Sequence, residues 1–485
     1  MTEKREQSLS MLCDFYEFTM ANGYFNNKLQ DKIVYFEMYF RKTPDGGGFA
    51  VSAGLADVIK YVENLSFAED DIDFLRQKGL FDEEFLTYLK DFKFTGDIYA
   101  VPEGTPVFAE EPLVIVRAKS IEAQIIETMV LLTINHQSLI ATKANRIVRA
   151  AMGRDVLEFG ARRAQGYNAA VMGARAAYIG GCVGTSCTLA GKEYGIPVSG
   201  TMGHSFITMF TSEYEAFCAY AKQYSDNCIL LVDTYNVLKS GIPNAIRVFD
   251  EILKPLGKRP KGIRIDSGDI AYLTQKARNM LDAAGYEDCK IIVSNSLDEL
   301  IIRDALTVQN AKFDIVAVGE RLITSKSEPV FGGVYKLVAV EENGEIIPKI
   351  KISENVTKIT TPHFKKLYRL FERKTNKAIA DVICLHDEVI DDTKPYEIFD
   401  RDYTWKKKMV TDFYAKEMLQ PIFKDGILCY ENPDIHEVRE YCKEQVETLW
   451  DEVLRFENPH NYYVDLSQKL WDVKNDLLKK SSDLF

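Results

Sequence analysis

The sequence predicts an α/β protein: an irregular (β/α) barrel over residues 141–338, with an α+β sandwich domain built from the N-terminal part, 1–140, and the C-terminal part, 339–485. Three observations carry this. From residue 154 onward short apolar runs recur, each followed by a turn and then a helical pattern: RDVLEF, GCVGT, IPVSGT, CILLVDTY, GIRID, KIIVSN and DIVAVG. Strands alternating with helices imply parallel βαβ units. Each run also ends in residues able to contact phosphate or do chemistry, namely Glu158 with Phe159, Thr185, Thr201 with His204, Asp233, Arg264 with Asp266, Ser294 with Asn295, and Gly319. Many strand ends converging on one face is a barrel property, whereas a doubly wound sheet concentrates its site at one or two switch points. Third, the flanking regions change to the alternation of antiparallel strands. The barrel segment, about 190 residues, is short of the ~250 typical of eight complete units, so an irregular or incomplete barrel is expected.

Taken in order, residues 8–25 (SLSMLCDFYEFTMANGYF) place apolar side chains at helical spacing, with a serine able to cap the start and an end near Asn22–Gly23. KIVYFEMYFRKTPDGGGFAVSAG alternates as strands do, with a glycine-rich hairpin at Pro44–Gly48, and helical segments run on to Lys93. TGDIYAVPEGTPVFAEEPLVIVRAK reads as two or three further antiparallel strands. Residues 120–152 read as one buried helix, in which His136 is a core histidine rather than a ligand. After the barrel, residues 342–373 alternate like a small antiparallel sheet, and 432–457 and 464–481 are amphipathic helices with charged outer faces. With no low-complexity linker before it, this tail is expected to pack back on the N-terminal sheet domain.

Composition excludes several classes. At 485 residues and 46% hydrophobic content the chain can bury a sizeable core. No stretch approaches the roughly 18 apolar residues of a membrane helix, and the N-terminus lacks the apolar core of a signal peptide, so a soluble, cytoplasmic protein is expected. Nine cysteines without a CxxC pair argue against a disulfide framework and a structural zinc site, and read as reduced. A net charge of -12 without long basic runs disfavours a nucleic-acid surface. Positive charge for an anionic ligand must therefore be supplied locally.

The motifs each have a plain reading beside the chemical one. RIDSGD, Arg264–Asp269, puts an arginine, two carboxylates and a serine in one loop, and also reads as an Asp-Ser-Gly turn with a helix N-cap at Ser267 or Asp269. VSNSLDE, Ser294–Glu299, can cap a helix whose N–H groups bind phosphate, or simply cap it. Paired Arg162–Arg163 beside Phe159–Gly160 can hold a carboxylate or phosphate bidentately. His204 in GTMGHSF follows a glycine at a strand end in a chain with six histidines, which favours a catalytic role. Neither the GxxxxGKS loop nor the GxGxxG fingerprint is present.

As an ordered set, DFYEFTMANGYF, EFGARRAQG, AAYIGGCVGTS, SGTMGHSF, RIDSGD, VSNSLDE and VGERLITSKSEPVFGGVYKLV resemble the nicotinate phosphoribosyltransferase family, over most of residues 10–345. The resemblance implies transfer of the 5-phosphoribosyl group from phosphoribosyl pyrophosphate to nicotinate, with coupled ATP hydrolysis, Mg²⁺ accompanying the phosphates, and a homodimer with shared active sites. By the motif match His204 would be phosphorylated by ATP. Tyr16 would stack on the pyridine ring from the neighbouring subunit, with Phe159 on the other face. Arg162 and Arg264, with Thr201 nearby, would hold carboxylate or phosphate oxygens. Asp266 and Asp233 would position ribose hydroxyls or Mg²⁺, and Ser294, Asn295 and Gly319 would cradle the 5-phosphate. In the related nicotinamide enzyme an aspartate follows the Gly-Thr strand end. Here Gly184–Thr185 is followed by Ser186, which suits an acid substrate because a carboxylate there would repel nicotinate. Glu320 departs from the small hydroxyl residue often found after the phosphate-loop glycine, and an acidic side chain suits a phosphate only where it points away. The stretch Glu158–Ser205 thus reads as the base-recognition half of the site. The alternatives are a quinolinate phosphoribosyltransferase, which needs no ATP and releases CO₂, and a non-catalytic ligand-binding relative.

Overall fold

The computed structural model describes residues 9–355 and 358–480, which divide into two compact units, one holding the described residues up to 139 and from 330 onward, the other 140–329. Ser8 and residue 481, the outer limits of two expected helices, lie outside the described residues.

The first unit is built on a seven-stranded sheet in the order Glu345–Pro348, Gly333–Glu342, Ile33–Phe40, Val114–Lys119, Asp97–Ala100, Gln420–Lys424, Ile427–Leu428. Strands from both ends of the chain therefore share one sheet: Ile33–Phe40 pairs antiparallel with Gly333–Glu342 on one side and Val114–Lys119 on the other. That pairing takes Gly333–Glu342 out of the parallel-strand region, so the second unit ends at Pro329. It also overturns the hairpin expected at Pro44–Gly48. Ile33–Phe40 is a central strand with both edges occupied, and Ala50–Val51 pairs instead with Pro106–Val107. A second, four-stranded sheet holds Phe413–Glu417, Lys365–Glu372, Ala378–Leu385 and Val464–Leu466. Between strands Lys365–Glu372 and Ala378–Leu385, Arg369 and Asp381 are both 0% exposed and form a 2.6 Å ion pair, with Tyr462 donating to Asp381 at 2.9 Å.

Three helix expectations change. The buried helix over 120–152 is two, Ser120–Ile125 and Glu127–Ala150. In the tail, only Ile435–Glu447 of the region 432–457 is a continuous helix, started by a capping box between Asp434 and Glu437. The segment from 464 begins as the strand Val464–Leu466, because it adds parallel to Ala378–Leu385, and turns helical at Gln468–Lys480.

The second unit is a mixed α/β layer on a six-stranded, all-parallel sheet in the order Gly184–Thr185, Asp155–Glu158, Ile315–Val318, Lys290–Ser294, Gly262–Ile265, Ile229–Leu231. The last strand in sequence thus lies beside the first. The sheet is nonetheless open: among the described residues no ladder joins Gly184–Thr185 to Ile229–Leu231, so the closed barrel is not observed. The expected strand IPVSGT is reduced to one isolated bridge, Thr185 to Val198. Pro197 has no N–H to donate, and the segment makes only two backbone bonds to Thr185, through Pro197 O and the Ser199 N–H.

Candidate functional site

Parallel strands all deliver their C-terminal ends to one edge of the sheet. Inside the second unit the strands are buried aliphatic runs, such as Ile291–Val293 and Val316–Val318, and each meets polar residues where it leaves the core. Burial therefore decides the position at which a polar side chain emerges, and that position is the same for every strand.

His204 opens the short helix His204–Thr208 and its Nε2 lies 3.2 Å from Asp233 Oδ1. The His204 side chain is 42% exposed and that of Asp233 1%, so a buried carboxylate holds one face of a ring that solvent and ligands can reach. The second oxygen of Asp233 accepts the Asp266 N–H at 3.1 Å and the Ser267 hydroxyl at 2.6 Å. Asp266 in turn accepts a hydrogen bond from the Ser294 hydroxyl through Oδ1. Three strand ends and the start of the His204–Thr208 helix are thereby linked. A carboxylate is an acceptor, so this contact suits a hydrogen on Nε2 and turns Nδ1 away from Asp233. Asp233, expected at ribose or Mg²⁺, is in contact with His204.

Arg264 ends up buried beside this chain. Its Nη1 donates to Thr201 Oγ1 at 2.6 Å and to Met202 O at 3.2 Å, and its Nη2 lies 3.7 Å from Asp266 Oδ1. Its Nε is buried and has no hydrogen-bond partner. Burial holds the guanidinium below the usual arginine range, against the charges of Asp266 and Asp233, and the positive charge of Arg162 adds to the lowering. Arg162, exposed on the Ala161–Arg163 turn, is therefore close enough for its charge to act on Arg264. Two cations brought together in a chain of net charge -12 form the local positive field that an anionic ligand needs.

Glu158 is 0% exposed at the end of its strand. One oxygen accepts the Gly160 N–H and the other the Thr185 hydroxyl, at 2.6 Å for the latter. Thr185 Oγ1 accepts the Cys187 N–H at 2.9 Å. Burial lifts the Glu158 carboxyl above its ordinary range while these two donors oppose the lift. Gly160 is a forced glycine: a Cβ would sit 2.6 Å from Ile323 Cβ and 2.8 Å from both Glu158 Oε1 and Gly319 O. Half-buried Phe159 is fixed by its N–H donating to Val318 O at 2.7 Å.

At the end of strand Lys290–Ser294, Asn295 and Ser296 both adopt positive φ, 83° and 47°. Such non-glycine residues cost on the order of 1–3 kcal/mol each and concentrate where a loop serves a ligand. Asp298 caps Glu299–Thr307 by accepting two backbone N–H groups, and it pairs with Arg321. The N-cap of the RIDSGD loop is Asp269, which accepts the Tyr272 N–H at 2.9 Å, and Ser267 serves Asp233 instead. Glu320 turns to Lys326 at 2.7 Å, which holds its carboxyl below the usual range.

The second unit thus gathers His204, Asp233, Asp266, Ser294, Arg264 and Thr201 into one bonded set. Thr185 joins Glu158, and Gly319 lies against the Phe159 carbonyl. Ser186 is tied through its N–H to Glu158 O at 2.8 Å, while Asn295 is exposed. Tyr16 belongs to the first unit, on the helix Phe15–Asn26, and is 44% exposed. The roles of Glu158 and Ser267 were missed by sequence reading. A lone Glu before Phe-Gly and a Ser after Asp carry no spacing signal, and only the register of neighbouring strands reveals them. Among the described residues no group of three or more His, Cys, Asp or Glu side chains could hold a metal ion.

Family models describe three consecutive parts of this chain: the nicotinate phosphoribosyltransferase N-terminal domain at 11–135, the family itself at 155–325 and the C-terminal domain at 364–474. The chain belongs to the nicotinate phosphoribosyltransferase family. It is 45% identical to nicotinate phosphoribosyltransferase of Bacillus subtilis over 473 residues, 97% of this chain and 95% of that one. It is 34% identical to the Dictyostelium discoideum enzyme of the same name, covering 96% and 88%. The crystal structure of human nicotinic acid phosphoribosyltransferase superposes with a TM-score of 0.83 at 27% identity, covering 96% of this chain and all of that one. The family's central model spans the strand ends from Asp155 to Ser325, so the bonded set described above lies inside the part that defines a nicotinate phosphoribosyltransferase.

Proposed function

We propose that this chain transfers the 5-phosphoribosyl group of phosphoribosyl pyrophosphate to the ring nitrogen of nicotinate, releasing pyrophosphate, and that ATP drives the step through phosphorylation of His204. The observation that carries the reading is the chain of contacts His204–Asp233–Asp266–Ser294 across the strand ends. Asp233 accepts a hydrogen bond from Nε2–H, which leaves Nδ1 as the nucleophile toward the γ-phosphorus. ADP departs, the proton on Nε2 remains hydrogen-bonded to Asp233, and the imidazolium charge that develops is balanced by that carboxylate.

Ribosyl transfer passes through a cationic, oxocarbenium-like centre, so the site has to orient a weak pyridine nucleophile and neutralise a departing pyrophosphate. Phe159 supplies a ring face, and Tyr16 from a second copy of the chain supplies the other. Arg162 and Arg264, with Thr201, bind carboxylate or phosphate oxygens, and Ser294, Asn295 and Gly319 receive the 5-phosphate. Thr185 and Ser186 border the nicotinate carboxylate, where serine admits an acid that aspartate would repel. Asp266 accepts from Ser294 through Oδ1, which leaves Oδ2 as the oxygen that would reach Mg²⁺ held by one carboxylate plus substrate phosphates rather than by a protein cage. When bound, Mg²⁺ neutralises phosphate charge and orients the leaving group.

In this reading the open six-stranded sheet works as an incomplete (β/α) barrel. Its cyclic strand order, with Ile315–Val318 beside Asp155–Glu158, supports it. The working form is a homodimer in the cytoplasm. No helix among the described residues is long and apolar enough to cross a membrane, and the acidic chain offers no nucleic-acid surface.

The test is transfer of label from γ-labelled ATP to the protein, together with nicotinate-dependent pyrophosphate release. Label absent from His204→Ala and present on the wild type supports the reading. Conversion of quinolinate with CO₂ release, and none of nicotinate, would replace it with the quinolinate enzyme. Ligand binding without turnover would replace it with a non-catalytic relative.

A further inference from the structure

We infer that Glu158 is a positioning residue of the nicotinate pocket, its buried carboxylate clamping the Phe159–Arg162 turn to the Thr185–Ser186 strand end so that the ring-stacking and acid-selecting residues keep one geometry. The inference rests on the assignment of those residues to nicotinate made above. Glu158 and Thr185 are direct partners in the parallel register of Asp155–Glu158 and Gly184–Thr185, so their side chains emerge on the same face. Through its side chain Glu158 accepts from the Gly160 N–H and the Thr185 hydroxyl, and through its carbonyl from the Ser186 N–H. Thr185 extends the clamp by accepting the Cys187 N–H. One fully buried residue therefore satisfies donors from both loops that are assigned to the ring.

The turn has no slack on its other side. The space a Gly160 side chain would need is filled by Ile323 and by the Gly319 carbonyl. Displacing Glu158 moves Phe159 and Arg162 at one end and Ser186 at the other, while the His204–Asp233 contacts stand on different strands. A buried carboxylate is costly to keep unless its partners use it. Here all of those partners are backbone or hydroxyl groups of the two ring loops.

Steady-state kinetics of the full-length protein test this with Glu158→Gln and Glu158→Asp. Gln keeps the volume but replaces one acceptor by a donor, so either the Gly160 N–H loses its acceptor or the Thr185 hydroxyl must turn. Asp keeps both acceptors but withdraws them by one methylene, so it restores the clamp only in part. The expected result for Glu158→Gln is a rise of roughly tenfold or more in the KM for nicotinate, with kcat and the KM for phosphoribosyl pyrophosphate within about threefold of wild type, and a smaller rise in the same KM for Glu158→Asp. Should Glu158→Gln fail to fold, Glu158→Asp decides by the same split. A nicotinate KM within about twofold of wild type, or an equal rise in both KM values, overturns the clamp. Wild-type protein that forms no nicotinate mononucleotide overturns the nicotinate reading and the clamp with it, whereas an active wild type with unaffected variants overturns the clamp alone.

Discussion

His204 Nε2 stands 3.2 Å from Asp233 Oδ1, and the second oxygen of the same carboxylate is held by the Asp266 N–H and the Ser267 hydroxyl. The aspartate is thus fixed from the RIDSGD loop before it reaches the histidine. His204→Ala is expected to abolish protein labelling by γ-labelled ATP and leave slow, ATP-independent transfer; full ATP stimulation in this variant would exclude the histidine. Asp233→Asn is expected to lower the ATP-stimulated rate by up to about 10⁴-fold, as when the carboxylate that orients a reactive imidazole becomes an amide. The comparison of rates with and without ATP separates this from general damage.

Arg264 is buried, bonds Thr201 and Met202 on one side and faces Asp266 on the other. Arg264→Ala is expected to reduce kcat/KM by roughly 10²–10³-fold, as for removal of a preorganised donor at developing charge. Arg264→Lys should recover only part of this, since an ammonium cannot reproduce the fork of donors. Equal activity of wild type and the lysine variant would argue against a two-sided contact.

Gly160→Ala places a methyl group 2.6 Å from Ile323 Cβ and 2.8 Å from the Gly319 carbonyl. Overpacking of this kind costs roughly 1–3 kcal/mol. Thermal unfolding should show a lowered midpoint, together with weakened nicotinate turnover.

Ser186→Asp tests substrate choice. The new carboxylate is expected to repel nicotinate and accept the amide of nicotinamide, shifting the kcat/KM ratio of the two at least about tenfold toward the amide. An unchanged ratio would remove Ser186 from the specificity pocket.

Asp465, on the strand Val464–Leu466, has its carboxyl pushed up to about 7, first by burial and then by Asp400, with Arg401 opposing. The folded chain therefore binds this proton more tightly than the unfolded chain, and stability from this group is lost as pH rises from the ordinary carboxylate range through about 7. Asp465→Asn should raise the melting temperature at pH 8 and leave it nearly unchanged near pH 4. A variant that melts below wild type at pH 8 would contradict the sign.

Much of the site was legible because burial and chemistry leave the same mark in a one-dimensional string. An aliphatic run such as KIIVSN announces its own end when the polar residue arrives, so Asp233, Arg264, Asp266 and Ser294 could be picked out strand by strand. Pairing was not legible. Residues 200 to 330 give no sign that Ser267 would turn from capping a helix to holding Asp233, or that Asp233 would stand against His204. Glu158 was visible only as a strand end, because its partner Thr185 lies 27 residues away and meets it only once the two strands are in register.

The sequence by itself determined the alternation of buried strands and helices, the line of polar residues where those strands end, the local supply of arginine in an acidic chain, and the ordered motifs of the family. Tertiary structure alone decided who pairs with whom. It set Gly333–Glu342 beside Ile33–Phe40, removing the hairpin at Pro44–Gly48, and it left the parallel sheet open where Pro197 interrupts the ladder. The physical reason is one of range. Burial and turn formation are set by neighbours a few residues away, whereas sheet register and side-chain hydrogen bonds depend on groups that only folding brings within 3 Å.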